Sequence, residues 1–207
     1  MYKLYARKGA GSAAVEAMLA ECGASYVIED IERQADGTMP AGFFKINPRG
    51  EVPALELPDR SIMTESAAML IHLGDTHREA LLAPPASSPQ RPQYLRWMLF
   101  LATTLYMSDL RYFHPKRYSS DAAAASGIRT KAGADMDREF AILAGALGEG
   151  PYLLGREFSA IDIYAAMLVN WSPDIGALFG RHANLAACYE RVTARPAVTR
   201  VWARNGM

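Results

Sequence analysis

Residues 81–93 read LLAPPASSPQRPQ, four prolines and two serines in thirteen positions. Proline has no N–H to give a helix or a sheet, and the residue before each proline is pushed away from helical angles. The stretch therefore interrupts regular structure, and residues 81–92 read as a linker between two domains. The 207-residue chain has room for two small domains of this kind.

Before the linker, the hydrophobic period alternates between two and 3.6. YKLYA (residues 2–6) alternates as a short strand, and RKGAG follows as a loop. Ser12 opens a helix in which Val15, Met18, Leu19 and Cys22 form one apolar stripe, and Gly23 ends it. SYVIEDI (25–31) is a second strand, so the first three elements favour a parallel pair with a right-handed crossover. FFKIN is a helical turn stopped before Pro48. PALEL and SIMT are two short strands joined by the turn PDR, and a helix runs from Glu65 to about Asp75. Residues 1–80 thus read as a βαβ–ββα domain with a mixed sheet.

After the linker no strand pattern appears. QYLRWMLFLATTLYMSDL predicts one long helix, and SDAAAASGIRTKAGADMDREFAILAGAL a second with Met136, Phe140, Leu143 and Leu147 as its stripe. FSAIDIYAAMLVNW carries Ser159 three residues before Asp162, a capping-box spacing. LAACYERVTARPAVTRVW supplies two further helices, broken at Pro196. Residues 93–207 read as an all-helical domain.

Charge and cysteine content narrow the partners. The 22 basic and 22 acidic side chains cancel, which leaves no electrostatic reason to expect nucleic acid or an anionic membrane. WMLFLATTLYM is about half the ~20 residues of a membrane span. Cys22 and Cys188 form neither a disulfide framework nor a zinc site, and no histidine pair has metal-ligand spacing. The opening MYKLYARKGAG lacks the apolar core of a secretory leader. A cytoplasmic protein with no metal is the expectation.

NPRGEVPALE, TES at the head of the next helix, FSAIDIYAA and ARPAVTRV occur in that order. With them the chain resembles the cytosolic glutathione transferase family along essentially its whole length. The resemblance is greatest to the bacterial beta class. It implies a thioredoxin-like N-terminal domain that binds glutathione, a C-terminal helical bundle with the co-substrate pocket, and a homodimer. Val52 and Pro53 then hold the cysteinyl part of glutathione, with a cis Val52–Pro53 bond turning the Val52 backbone groups outward. Gly11 and Glu51 flank that position. Ser66, at a helix N-terminus, faces the γ-glutamyl carboxylate, and Glu65 its ammonium.

Ser12 at a helix start and Tyr5 on the first strand are the candidates for activating the thiol, with the Tyr106 hydroxyl of the helical domain a third. The beta-class cysteine position falls on Gly11, and that class's His-Lys pair falls on Tyr106 and Met107. Cys22 lies on an apolar stripe and is inert core. Tyr106, Met107, Leu110 and Phe113 share a helical face that lines an apolar co-substrate pocket, with Trp171 closing it. The expected activity is attack of the glutathione thiolate on an electrophilic or peroxidic apolar small molecule. The alternatives are a non-catalytic glutathione or hydrophobic-ligand binder, and a glutathione-dependent isomerase, dehalogenase or lyase.

Overall fold

The structure is a computed structural model that describes residues 1–207. It divides into two compact units, residues Met1–Ala86 with Thr193–Met207, and Ser87–Val192.

In the first unit, β1 (Tyr2–Ala6), α1 (Ser12–Glu21) and β2 (Tyr26–Asp30) form the expected crossover, with β1 and β2 parallel. A 3-10 turn (Ala41–Lys45) precedes β3 (Ala54–Glu56) and β4 (Ile62–Met63), and α2 (Ser66–Thr76) follows. Sheet order is β2-β1-β3-β4, with β3 antiparallel to both neighbours. The hairpin closes through Leu57 N–H to Ser61 O at 2.9 Å, and the Asp59 carboxylate accepts from the Ser61 hydroxyl at 2.6 Å. Every residue of α1 from Ser12 to Leu19 is buried, because the helix touches β1 on one side and other helices on the rest. Met69, Leu70 and Leu73 of α2 are also fully buried. Gly74 sits where α2 meets the start of the linker. A Cβ there would lie 2.7 Å from that of Ala83, so no larger residue fits without a shift.

The second unit holds α3 (Arg91–Phe100), α4 (Tyr106–Phe113), α5 (Ala124–Leu147), α6 (Ala160–Asn170), α7 (Ile175–Arg181) and α8 (Ala183–Thr193, whose last residue belongs to the first unit). No helix is long and apolar enough to cross a membrane. The predicted stripe of α5 is in place, with Met136, Phe140, Leu143 and Leu147 all buried. The long helix expected over residues 93–110 is interrupted. Leu101–Leu105 is a π-helical turn between α3 and α4, where the Thr103 hydroxyl donates back to Leu99 O at 2.9 Å. The short helix α7 has no counterpart in the sequence reading. Its glycines obscure the pattern, but the Asp174 carboxylate caps it by accepting from Ala177 N–H at 2.8 Å.

The sequence division assigns residues 93–207 to the helical domain. In the structure α9 (Pro196–Asn205) instead belongs to the first unit and packs on α1. Val198, Val201 and Trp202 are its buried face. Arg195 forms a bidentate pair with Glu21 at 3.0 and 2.7 Å. Arg204 reaches Glu16 at 2.9 Å and both Asp30 oxygens at 2.7 Å. His77 is half-buried and its Nε2 lies 3.2 Å from Tyr2 Oη.

Candidate functional site

The strand registers determine which loops meet. β1 and β3 pair Tyr5 with Ala54 and Lys3 with Glu56, so extending the ladder brings Val52 level with Arg7. β3 and β4 pair Leu55 with Met63, and the same extension sets Pro53 beside Glu65 and Val52 beside Ser66. Three segments converge at one end of the sheet. They are the Arg7–Ser12 turn into α1, the Glu51–Pro53 approach to β3, and the Thr64–Ser66 entry to α2.

Each segment is shaped by its own residues. The Val52–Pro53 bond is cis, as anticipated. The ladder starts at Ala54, so the N–H and C=O of Val52 lie outside it. Its side chain packs on the cluster of Tyr5, Ile31, Met39, Phe43 and Ala54. Buried Asn47 braces this approach, donating to Glu51 O at 2.6 Å and accepting from Arg49 N–H at 3.1 Å. Gly50 is left-handed at φ +63°, and a Cβ there would fall 2.7 Å from the Phe44 ring. Glu51 is exposed and pairs with Arg49 at 3.0 Å. Asn47 is the member of this group that motif reasoning left unused, although it begins the quoted NPRGEVPALE.

Glu65 caps α2 with φ +67° and ψ +100°, a conformation a non-glycine residue rarely adopts. Its side chain is exposed, and its carbonyl accepts from Met69 N–H at 3.0 Å. Ser66 is the first residue of α2, half-buried, where the helix presents N–H groups without intrahelical acceptors. Strain of this kind is maintained by surrounding structure and gathers at ligand-holding positions.

Of the two candidate activators in the first unit, Ser12 lies in the convergence and Tyr5 points elsewhere. The Ser12 hydroxyl is buried, donates to Arg7 O at 3.0 Å and accepts from Arg7 N–H at 3.1 Å. It clasps the turn that leads into α1. Gly11 is buried at the N-cap with helical angles, φ −58° and ψ −11°. Tyr5 is 5% exposed and donates to Glu56 Oε2 at 3.2 Å. Glu56 stands opposite Lys3, so the Tyr5 hydroxyl is aimed away from the α1 end of the strand. Burial, foremost, and the Glu56 bond push its pKa up, against the lowering effect of Lys3. Cys22 is half-buried, and burial pushes its thiol up to about 12, as befits inert core.

In the helical unit, the Tyr106 ring packs edge-on against Tyr164 (6.2 Å) and tilted against Trp171 (5.4 Å). Met107 and Leu110 are half-buried on α4. Phe113 is exposed at the helix end and stacks on Tyr112 at 5.0 Å rather than on Tyr106 or Trp171. Beneath this face lie polar groups that periodicity did not single out. Ser108 donates to Glu139 Oε1 at 3.1 Å, and Asp109 is 5% exposed with one carboxylate oxygen lacking any partner. Burial pushes the Asp109 carboxyl up to about 7.

A mixed βαβ–ββα sheet whose end collects two helix N-termini and a backbone edge outside the ladder is a thioredoxin-like fold. Comparison with known proteins makes this specific. Residues 12–76 match the glutathione S-transferase N-terminal domain. Glutathione S-transferase GstA of Escherichia coli O157:H7 is 24% identical over 209 residues, covering 99% of each chain. A glutathione transferase homologue from Sulfitobacter, solved with bound glutathione, superposes with a TM-score of 0.91 at 25% identity over 100% of this chain and 99% of that one. A bacterial beta-class glutathione S-transferase from Sphingomonas chungbukensis gives 0.83 at 27% identity over 99% and 98%. Over its whole length the chain is similar to glutathione S-transferases.

Proposed function

We propose that the chain is a glutathione transferase that holds glutathione at the convergent end of its sheet and activates the thiol there. The observation that carries this reading is that the β1–β3 and β3–β4 pairings bring the segments of Arg7, Val52 and Ser66 to one end of the sheet. The Val52 N–H and C=O pair with the cysteinyl backbone as an added antiparallel strand would. The N-terminus of α2 and Ser66 receive the γ-glutamyl carboxylate, and Glu65 accepts from the ammonium on the same carbon. Gly11 and Glu51 border the tripeptide.

With the Tyr5 hydroxyl directed at Glu56, stabilisation of the thiolate falls to the first turn of α1, which Ser12 holds in place. A free thiol near pKa ~8.5 is mostly protonated at neutral pH, and a positive helix end shifts that balance toward the nucleophile. The thiolate sulfur then bonds to the electrophilic carbon, and the leaving group departs with its electron pair. Tyr106, Met107, Leu110, Phe113 and Trp171 offer the apolar surface for a small-molecule electrophile. A cytoplasmic homodimer follows from the same family reading.

The test is calorimetric titration with glutathione beside ultraviolet titration of the bound thiolate. Wild type is expected to bind, with its thiol titrating well below the free value. Tyr5→Phe is expected to leave that titration unchanged, and Ser12→Ala to shift it back toward the free thiol. If glutathione binds but its thiol titrates as in water, the chain is a non-catalytic binder. No binding at all overturns the assignment of Val52, Glu65 and Ser66.

Two substitutions separate stability from binding. Ser66→Ala removes a donor to a charged group and is expected to weaken glutathione about tenfold or more, at roughly 1.5–3 kcal/mol for such a bond. Glu65→Gly relieves the positive φ, so thermal stability should hold or rise by about 1 kcal/mol, while glutathione affinity falls. A Glu65→Gly protein that binds as wild type does would remove Glu65 from the site.

A further inference from the structure

The turn from Arg7 to Gly11 has no regular structure of its own, yet it must present the N-terminus of α1. From within, the Ser12 hydroxyl bonds both backbone groups of Arg7, and Ala10 N–H reaches Arg7 O at 3.2 Å. These bonds hold the inner half of the turn. Gly9 is left-handed at φ +68°, and its N–H donates to Oδ1 of Asn205 at 3.3 Å, across 196 positions of sequence.

Asn205 is 5% exposed, and its amide has one possible orientation. Nδ2 donates to Glu16 Oε2 at 3.1 Å and to Val201 O at 2.9 Å. Both are acceptors only, so the nitrogen must face them and the oxygen must face Gly9. Both amide hydrogens and the amide oxygen are engaged. The side chain is therefore a fixed strut from α9, seated on α1 through Glu16, with its far end on the turn. Arg204 beside it anchors the same helix to Glu16 and Asp30 but makes no bond to the turn.

We propose that Asn205 is a positioning residue for the glutathione site, and that the last turn of the chain's C-terminal helix sets the geometry of the Arg7–Gly11 turn at the thiol. The inference rests on the glutathione reading above. In the free protein the Asn205 amide holds Gly9, which fixes the direction of the α1 N–H groups before ligand arrives. Preorganisation of this kind raises affinity and thiolate stabilisation without contact to the ligand.

The experiment compares wild type with Asn205→Ala, Arg204→Gln and the double variant Glu16→Gln/Asn205→Asp. Three quantities are read: Gly9 amide exchange in the free protein, glutathione affinity, and the pH titration of bound thiol. Asn205→Ala should speed Gly9 exchange, weaken glutathione about tenfold, the scale of one lost hydrogen bond, and move the thiol titration toward the free value. Arg204→Gln should lower the melting temperature and leave affinity and thiol titration as in wild type. The double variant keeps an acceptor toward Gly9 and a donor from position 16 but loses the donation to Val201 O, and should regain slower Gly9 exchange and more of the affinity than Asn205→Ala. Wild-type affinity in Asn205→Ala overturns the proposal, as does equal weakening by Arg204→Gln, which would make α9 a purely structural element. If wild type itself fails to bind glutathione, the functional reading falls, and Gly9 exchange alone still decides whether Asn205 holds the turn.

Discussion

Asp162→Ala is expected to lower the stability of the helical unit by about 3–5 kcal/mol, read as a shift of the urea midpoint. The carboxylate is 1% exposed at the third position of α6. One oxygen accepts from Leu153 N–H at 2.8 Å, and the other from Ser159 N–H at 2.9 Å and the Ser159 hydroxyl at 3.0 Å. Alanine leaves the Leu153 and Ser159 N–H groups buried without partners, each costing about 1–3 kcal/mol, and takes away the acceptor of the Ser159 hydroxyl. The substitution also frees the segment from Leu153 to Ser159 from the start of a helix whose residues are nearly all buried. Ser159→Ala removes only one arm of the capping box and should cost about 1 kcal/mol. Equal effects from the two substitutions would show that the Leu153 bond contributes nothing.

Asp109→Asn should act in the opposite direction and only at higher pH. Burial alone raises the Asp109 carboxyl to about 7 in the fold, against about 3.9 unfolded. Between those values the native state binds the extra proton, so stability falls as pH rises. The favourable contribution is fully present below about pH 4 and is lost by about pH 7. An amide does not ionise, so Asp109→Asn should be more stable than wild type at pH 8, on the order of 2–4 kcal/mol, and close to it at pH 4. Asp162, raised to about 6 by burial in spite of its hydrogen bonds, and Glu139, also raised by burial, leave a residual slope in the variant. Urea melts at pH 4.5, 6 and 8 decide it. A variant less stable than wild type at pH 8 would mean that the charged carboxylate finds a partner after all.

What the sequence made legible was chiefly local. The Ser159–Asp162 spacing, the stripe of α5 and the PDR turn each depend on residues a few positions apart, and each has the expected structure. Val52, Glu65 and Ser66 are legible as candidates because one short motif and one helix start carry them. Long-range pairing was not legible. Nothing near ARPAVTRV says that Arg195 meets Glu21 or that Arg204 meets Glu16 and Asp30, so α9 reads with the helices before it while its contacts group it with the first unit. The π-turn at Leu101–Leu105 was hidden because an apolar helix reads alike whichever carbonyl each N–H selects. Ser12 shows the same limit at short range. Its position at a helix start was evident, but its bonds back to Arg7 depend on how the loop turns.

The docking of α9 on α1 has a consequence for how the protein is made. The first unit is not contiguous: its last piece, residues 193–207, is separated from the rest by the whole of the second. As the chain leaves the ribosome, the sheet and its first two helices emerge long before the segment that packs on α1 and pairs with Glu16 and Glu21. Domains generally fold in the order they are synthesised, and exposed apolar surface on partial folds invites aggregation. Here the early unit waits until residues 193–207 have emerged, and a chain stopped at Val192 would hold the helical unit but leave α1 without its α9 partner.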